Sequence, residues 1–335
     1  MKILVTGGLG LIGRGVIRAL GEAHPECTVR IFDYRNASAT EARELGNAEV
    51  MQGDVCDPDC VDAAVRGCER VLHLAGDLGV QKTESDHLTC LETNVIATRG
   101  LLDACTRHGV KRVMLASSSE VYGETPGYLS EVTEVRPRSV YAVAKLAAEK
   151  YALAYKQRHG LDVRVTRFFN VYGAGQRGDF VMSRFVERLR RGVAPEVFGD
   201  GSQVRCFCHV DDAARGVLAV LFAVGLEDDL FNIGNDKEPI SIRDLAVLAT
   251  RVAGMACEPD LVPFENSDRS ATREIKWRAP DITRMRTQLG YEPTTALAQG
   301  LKRLLESPLS PAAIPTTRQL PRIIASSPRF EENPA

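Results

Sequence analysis

Tyr141 and Lys145 stand four residues apart in Tyr141-Ala142-Val143-Ala144-Lys145, at the start of a helical pattern, and that spacing puts the phenol and the ammonium on one helix face. An ammonium beside a phenol stabilises the phenolate and lowers its pKa, so Tyr141 could take a proton from a substrate hydroxyl as hydride leaves the neighbouring carbon. Upstream, Ser117-Ser118-Ser119 closes a strand pattern, where Ser118 could hydrogen-bond the same reacting oxygen. Tyr and Lys four apart also occur on ordinary helices, and serines after strands commonly turn or cap the chain. The case for chemistry therefore needs a hydride acceptor.

The N-terminus offers a site for one. Ile3-Leu4-Val5-Thr6 runs into Gly7-Gly8-Leu9-Gly10-Leu11-Ile12-Gly13 and then a helical pattern, the strand, glycine turn and helix of a dinucleotide-binding unit. Gly7 and Gly10 would let backbone N–H groups approach a pyrophosphate at the helix N-terminus, beside Leu11 and Ile12, and Gly13 would let the helix pack closely on the sheet. Asp33 ends the second strand about twenty residues on, where a carboxylate accepts hydrogen bonds from the adenosine ribose and repels a 2′-phosphate. That favours NAD, while Arg35 nearby keeps NADP open. Asp54 could face the adenine or serve a turn. Val55 beside it, and Leu74, Ala75 and Gly76 after the fourth strand, are expected against the cofactor.

Holding these groups together takes a particular order of elements. Short apolar runs at 2–6, 28–33, 48–53, 70–75, 112–118 and 162–169 alternate with helical patterns, which predicts an α/β fold, a doubly wound parallel sheet of Rossmann type with ligands at the carboxyl ends of its strands. After Tyr172 the elements shorten, with helices near 182–191, 211–223 and 242–253 and a Gly-rich turn at 199–201. We read residues 1–172 as the NAD-binding domain, 173–306 as a smaller C-terminal substrate-binding lobe with some interleaving, and 307–335, rich in Pro and Ser, as a loosely attached tail.

Composition narrows the partners. The 335 residues are 44% apolar and 26% charged, enough for a large core, and a net charge of −2 provides no basic field for a nucleic acid. The nine cysteines are scattered. Cys206 and Cys208 would share a strand face, but no second pair has zinc spacing, so no metal is expected. The sequence contains no apolar run of roughly 18 residues and opens on a strand pattern, so neither membrane insertion nor secretion is expected and a cytoplasmic location follows by default.

Further segments carry a resemblance. Together with the glycine turn and Tyr141 to Lys145, Val71-Leu72-His73-Leu74-Ala75, Ser117-Ser118-Ser119-Glu120-Val121-Tyr122-Gly123, Arg167-Phe168-Phe169-Asn170-Val171-Tyr172-Gly173 and Gly199-Asp200-Gly201-Ser202-Gln203-Val204-Arg205 make the chain similar, over nearly all of residues 1 to 305, to the extended short-chain dehydrogenases/reductases that act on nucleotide sugars. The resemblance implies that NAD is the cofactor and a nucleotide sugar, a UDP-sugar for preference, the substrate. It implies that Ser118 and Tyr141 share the sugar O4, Lys145 holds the nicotinamide ribose, Asn170 contacts a substrate phosphate, and Arg205 reaches the diphosphate or the sugar. Read without it, Asn170 could be a capped turn and Arg205 a solvated charge. It also implies a homodimer, through amphipathic segments near 91–105 and 146–158 that could equally pack on the sheet.

In this family, oxidation at C4 acidifies the C5 proton and makes a carboxylate at C5 a good leaving group as carbon dioxide. A plain 4-epimerase only rotates the keto sugar, and has no obvious use for the carboxylate of Glu120 beside the catalytic serine. The dTDP-glucose 4,6-dehydratases carry an Asp-Glu pair there, whereas position 119 here is Ser. Ser119-Glu120, with Arg278-Ala279-Pro280-Asp281-Ile282, looks more like the UDP-glucuronate decarboxylases, whose matching Glu and Arg would be Glu120 and Arg205. GDP-mannose dehydratases also carry Ser-Glu, and Gly76-Asp77-Leu78-Gly79 departs from the usual family sequence near the reacting carbon. Decarboxylation therefore ranks first, 4-epimerisation second, dehydration third and an NAD-binding module without turnover last.

Overall fold

Ile3, Leu4 and Val5 are all fully buried, which requires cover on both faces of their strand, and parallel sheets are covered in that way. The computed structural model describes residues 1–79, 83, 85–266 and 274–307. It holds a seven-stranded sheet whose order is Leu230–Ile233, Asp162–Phe168, Arg112–Ser118, Arg70–His73, Lys2–Thr6, Thr28–Asp33 and Glu49–Gln52. All six neighbouring pairs are parallel. The order reverses on either side of Lys2–Thr6, and in such sheets the crevice at that switch point, beyond the carboxyl ends, takes the ligand.

One layer of helices puts Leu11–Ala23 against Val210–Phe222, with Val16, Ile17, Val217 and Leu221 in one apolar cluster. The approach is close, since a Cβ on Gly15 would lie 2.7 Å from Val210 Cγ2. The other layer contributes Val61, Leu101, Leu102 and Ala148 to a second cluster. Arg70 and Arg112 donate to the Leu221 carbonyl at 2.6 and 2.9 Å, placing two cations at the negative C-terminal end of the helix Val210–Phe222.

The boundary near 172 is not a clean cut. Leu230–Ile233 returns to the main sheet beside Asp162–Phe168, so residues 210–233 build the first domain from beyond the boundary. The lobe has its own core around Phe185, Leu245 and Leu301. A four-stranded sheet of Ile240–Ser241, Val204–Arg205, Trp277–Pro280 and Tyr128–Leu129 sets Arg205 beside Arg278. Cys206 lies between two short strands rather than in one strand with Cys208, and both thiols are buried, with burial pushing each up to about 12. Of the expected tail, 308–335 lies outside the described residues.

Candidate active site

The glycine turn is shaped by what sits against it. Gly7 has φ +66°, and a Cβ there would meet the Ala75 nitrogen at 2.8 Å; on Gly13 it would meet Gly8 backbone at 2.6 Å. Gly10 caps the helix Leu11–Ala23 without a side-chain acceptor, and the first turn carries no acidic residue. The N–H groups of Leu11 and Ile12 and the positive end of the helix dipole are therefore turned to an anion, which fits a pyrophosphate. Asp33 is buried; its Oδ2 accepts the Leu9 N–H at 3.0 Å, and burial raises its carboxyl above the ordinary 3.8. Asp54 accepts the Cys56 N–H at 2.8 Å, which is the turn role, and Val55 packs in the apolar cluster that holds Phe32. Leu74 and Ala75 are tied to Thr6 through its carbonyl and hydroxyl, each at 3.1 Å. A Cβ on Gly76 would lie 3.1 Å from Lys145 Nζ, so the loop after the fourth strand runs directly beside the helix that carries Tyr141 and Lys145.

That helix, Val140–His159, starts at Ser139, whose hydroxyl accepts the Ala142 N–H at 3.1 Å. Lys145 is buried, its Nζ donates to the Ala116 carbonyl at 3.1 Å, and burial lowers its pKa to about 8. Its Nζ stands 5.8 Å from the centre of the Tyr141 ring. Ser118, the last residue of its strand, accepts the Glu120 N–H at 3.2 Å, and its hydroxyl is near enough to the Tyr141 phenol to favour the ionised form. Tyr141, Lys145 and Ser118 are thus brought together. The expected lowering of the phenol pKa is not found in the protein alone. Burial of Tyr141, then the Glu120 carboxylate, raise the phenol and outweigh the Ser118 hydroxyl and the Arg278 charge.

Next to Ser118, Ser139 Oγ donates to Glu120 Oε2 at 3.3 Å, and the arginine facing Glu120 is Arg278, with Nη1 3.6 Å from Oε1. Arg205, matched with Glu120 by resemblance, is instead held by Glu274, with Nη2 to Oε1 at 2.7 Å, on the strand alongside Arg278. Ser119 is buried at 2% exposure. Asn170 has φ +37°, and its Nδ2 donates to the Cys206 carbonyl at 3.1 Å, so it fastens the crossing from main sheet to lobe.

Three groups of site residues were not assigned from the sequence. Ala75 N–H donates to Thr6 Oγ1, which lies 2.7 Å from His73 Nδ1; His73 Nε2 lies 3.1 Å from Thr98 Oγ1, which donates to the Asn94 carbonyl. Burial lowers the His73 pKa to about 3, so the imidazole is neutral and the chain of bonds has one consistent direction. Asn94, in the π turn Glu92–Ile96, donates to the Asp77 and Cys90 carbonyls at 2.9 Å each. It thereby holds the Gly76–Gly79 loop, and periodicity cannot reveal a π turn. Glu149 continues the four-residue spacing of Tyr141 and Lys145. It takes Arg167 in a buried bidentate pair at 2.9 and 2.7 Å, and also accepts the Ser117 hydroxyl. The spacing of 141, 145 and 149 was the signal for it.

The fold and site define a Rossmann-type enzyme working on a hydride. The model of the NAD dependent epimerase/dehydratase family matches residues 3–234, and the chain belongs to that family. A dTDP-glucose 4,6-dehydratase of Streptomyces niveus is 33% identical over 316 residues, covering 91% of this chain and 92% of the relative. A UDP-N-acetyl-alpha-D-glucosaminuronate decarboxylase of Bacillus cytotoxicus is 31% identical over 315 residues, covering 91% and 97%. The crystal structure of UDP-glucuronic acid 4-epimerase from Bacillus cereus, in complex with UDP-glucuronic acid and NAD, superposes with a TM-score of 0.81 at 29% identity, covering 91% of this chain and 98% of that one. The protein is accordingly an enzyme of the NAD-dependent nucleotide-sugar epimerase, dehydratase and decarboxylase family, and NAD is its cofactor. Among the described residues no helix is long and apolar enough to cross a membrane, and no cluster of three or more His, Cys, Asp or Glu could hold a metal ion.

Proposed function

We propose that the protein decarboxylates UDP-glucuronate through a 4-keto sugar. The observation that carries this reading is Glu120 facing Arg278 at 3.6 Å, next to Ser118 and Tyr141, with a serine rather than an acid at position 119. Leu11, Ile12, Asp33, Gly76 and Lys145 would hold NAD, which takes hydride from C4 and can return it. Tyr141 removes the O4 proton, Ser118 holds the same oxygen, and the buried Lys145 steadies the ribose. Once C4 is a ketone, the C5–C6 bond breaks, carbon dioxide leaves, and its electron pair enters an enolate spread to O4. A proton then returns to C5. Arg278 is suited to pair with the departing carboxylate and Glu120 to relay that proton, and the acid that dTDP-glucose 4,6-dehydratases carry at position 119 is a serine here. The sequence similarity to a uronate decarboxylase supports the reading. A 4-epimerase is the second reading, supported by the epimerase structure with UDP-glucuronic acid.

Mass spectrometry of UDP-glucuronate incubated with the protein and NAD tests this. Loss of carbon dioxide is the expected result, an isomer of unchanged mass means epimerisation, and an unaltered substrate refutes the proposal. We further propose a homodimer through the helices at 87–107 and Val140–His159, on which Leu88, Ile96 and Val143 stand exposed.

A further inference from the structure

We propose that Glu41 is a second determinant of NAD over NADP, acting by occupying two arginines beside the ribose position. The inference rests on reading Gly7–Gly13 and Asp33 as the NAD site. Asp33 alone would repel a 2′-phosphate, but Arg35 lies next to it and Arg14 reaches toward the same Glu41 that Arg35 holds, and guanidinium forks are well suited to phosphate. Glu41 engages both. Its Oε2 accepts Arg35 Nη1 at 2.8 Å and its Oε1 accepts Arg35 Nη2 at 2.7 Å, while Oε1 also lies 3.7 Å from Arg14 Nη1. Arg35 Nη2 also donates to the Leu9 carbonyl at 2.7 Å, and the Leu9 N–H is the donor to Asp33. The pair therefore closes around the same glycine-turn residue that Asp33 holds.

Placement of Glu41 is built into the start of the helix Ala39–Glu44. Ser38 Oγ accepts the Glu41 N–H at 3.2 Å and the Ser38 N–H donates to Glu41 Oε2 at 3.0 Å, a complete capping box. The three side chains are mostly shielded, at 14% exposure for Glu41, 28% for Arg35 and 23% for Arg14, so solvent weakens this pairing less than it would a surface pair. A 2′-phosphate thus meets one buried carboxylate, an Arg35 whose charge Glu41 offsets and whose fork it fills, and an Arg14 drawn toward the same carboxylate. Removing the Glu41 charge would leave two guanidiniums to receive it.

Calorimetric titration of the full-length, cofactor-stripped protein with NAD and with NADP tests the inference without reference to turnover. Glutamine at the third helical position can keep the capping box, so Glu41→Gln removes the charge and retains the helix start. NADP should bind about tenfold tighter or better in Glu41→Gln, with NAD changed by less than about threefold. Adding Arg35→Ala should abolish the gain, and Arg35→Ala alone should leave NADP as weak as in the wild type. Glu41→Ala serves as the second variant if Gln disturbs folding. Unchanged NADP affinity in these Glu41 variants, with NAD still bound, would overturn the proposal. Failure of the wild type to bind NAD would instead remove the cofactor-site reading on which it rests.

Discussion

Lowering the pH from 7 to 5 asks a buried imidazole to take up a proton for which its surroundings offer only another donor. His73 is 2% exposed, between the Thr6 and Thr98 hydroxyls, and its pKa falls from the ordinary 6.5 to about 3, first through burial and then through the Lys145 charge. A folded-state pKa below the unfolded value means stability is fully present above pH 6.5 and is lost as the pH drops toward 3. Each pH unit in that window costs ~1.4 kcal/mol, so at pH 5 the loss from this residue is about 2 kcal/mol. Glu41 and Asp211, whose pKa values are lowered to about 2 from 4.5 and 3.8, lose their contribution only at more acid pH. Urea unfolding of the wild type and His73→Asn at pH 7 and pH 5 measures the effect, since the Asn carbonyl can still accept from Thr6 but does not titrate. The wild type should lose about 2 kcal/mol more than the variant between the two pH values. Equal losses would show that His73 does not stay neutral in the fold, and the proposed direction of its hydrogen bonds would fall with it.

Glu149→Gln leaves the Arg167 guanidinium buried without a counter-charge and should cost about 3–5 kcal/mol in urea unfolding, with Glu149→Gln/Arg167→Met recovering most of it. On the proposed role of its phenol in proton transfer, Tyr141→Phe should cut turnover by about 10²–10⁴ while leaving the calorimetric NAD affinity intact, since the ring stays in place. Gly13→Ala should abolish detectable NAD binding, since its Cβ would sit 2.6 Å from Gly8 backbone and push the helix off the turn. If the two exposed helices form the dimer, Leu88→Glu with Ile96→Glu should turn a dimer into a monomer in analytical ultracentrifugation.

Local chemistry made much of this protein legible from its sequence. Apolar runs marked the strands Lys2–Thr6, Thr28–Asp33 and Arg112–Ser118 with the ends found in the structure, most clearly where both faces are covered, as at residues 3–5 and 113–116. Glycine spacing marked the tight turn before the helix Leu11–Ala23, since only residues without a Cβ tolerate the contacts at Gly7 and Gly13. The four-residue step from Tyr141 to Lys145 marked two side chains that the helix Val140–His159 brings to one face. Other features depended on packing between segments far apart in the chain. Arg278, not Arg205, faces Glu120, because two short strands of the lobe lie in parallel register and only their placement decides which guanidinium reaches the carboxylate. The phenol of Tyr141 is raised rather than lowered because burial and Glu120 act together, which helical spacing does not convey. Glu41 is tied to Arg14 and Arg35 across the glycine turn, and the strand Leu230–Ile233 joins the sheet across more than sixty residues of intervening chain from Phe168. Periodicity reports which face of an element is buried; the partner that meets that face is decided by the tertiary fold.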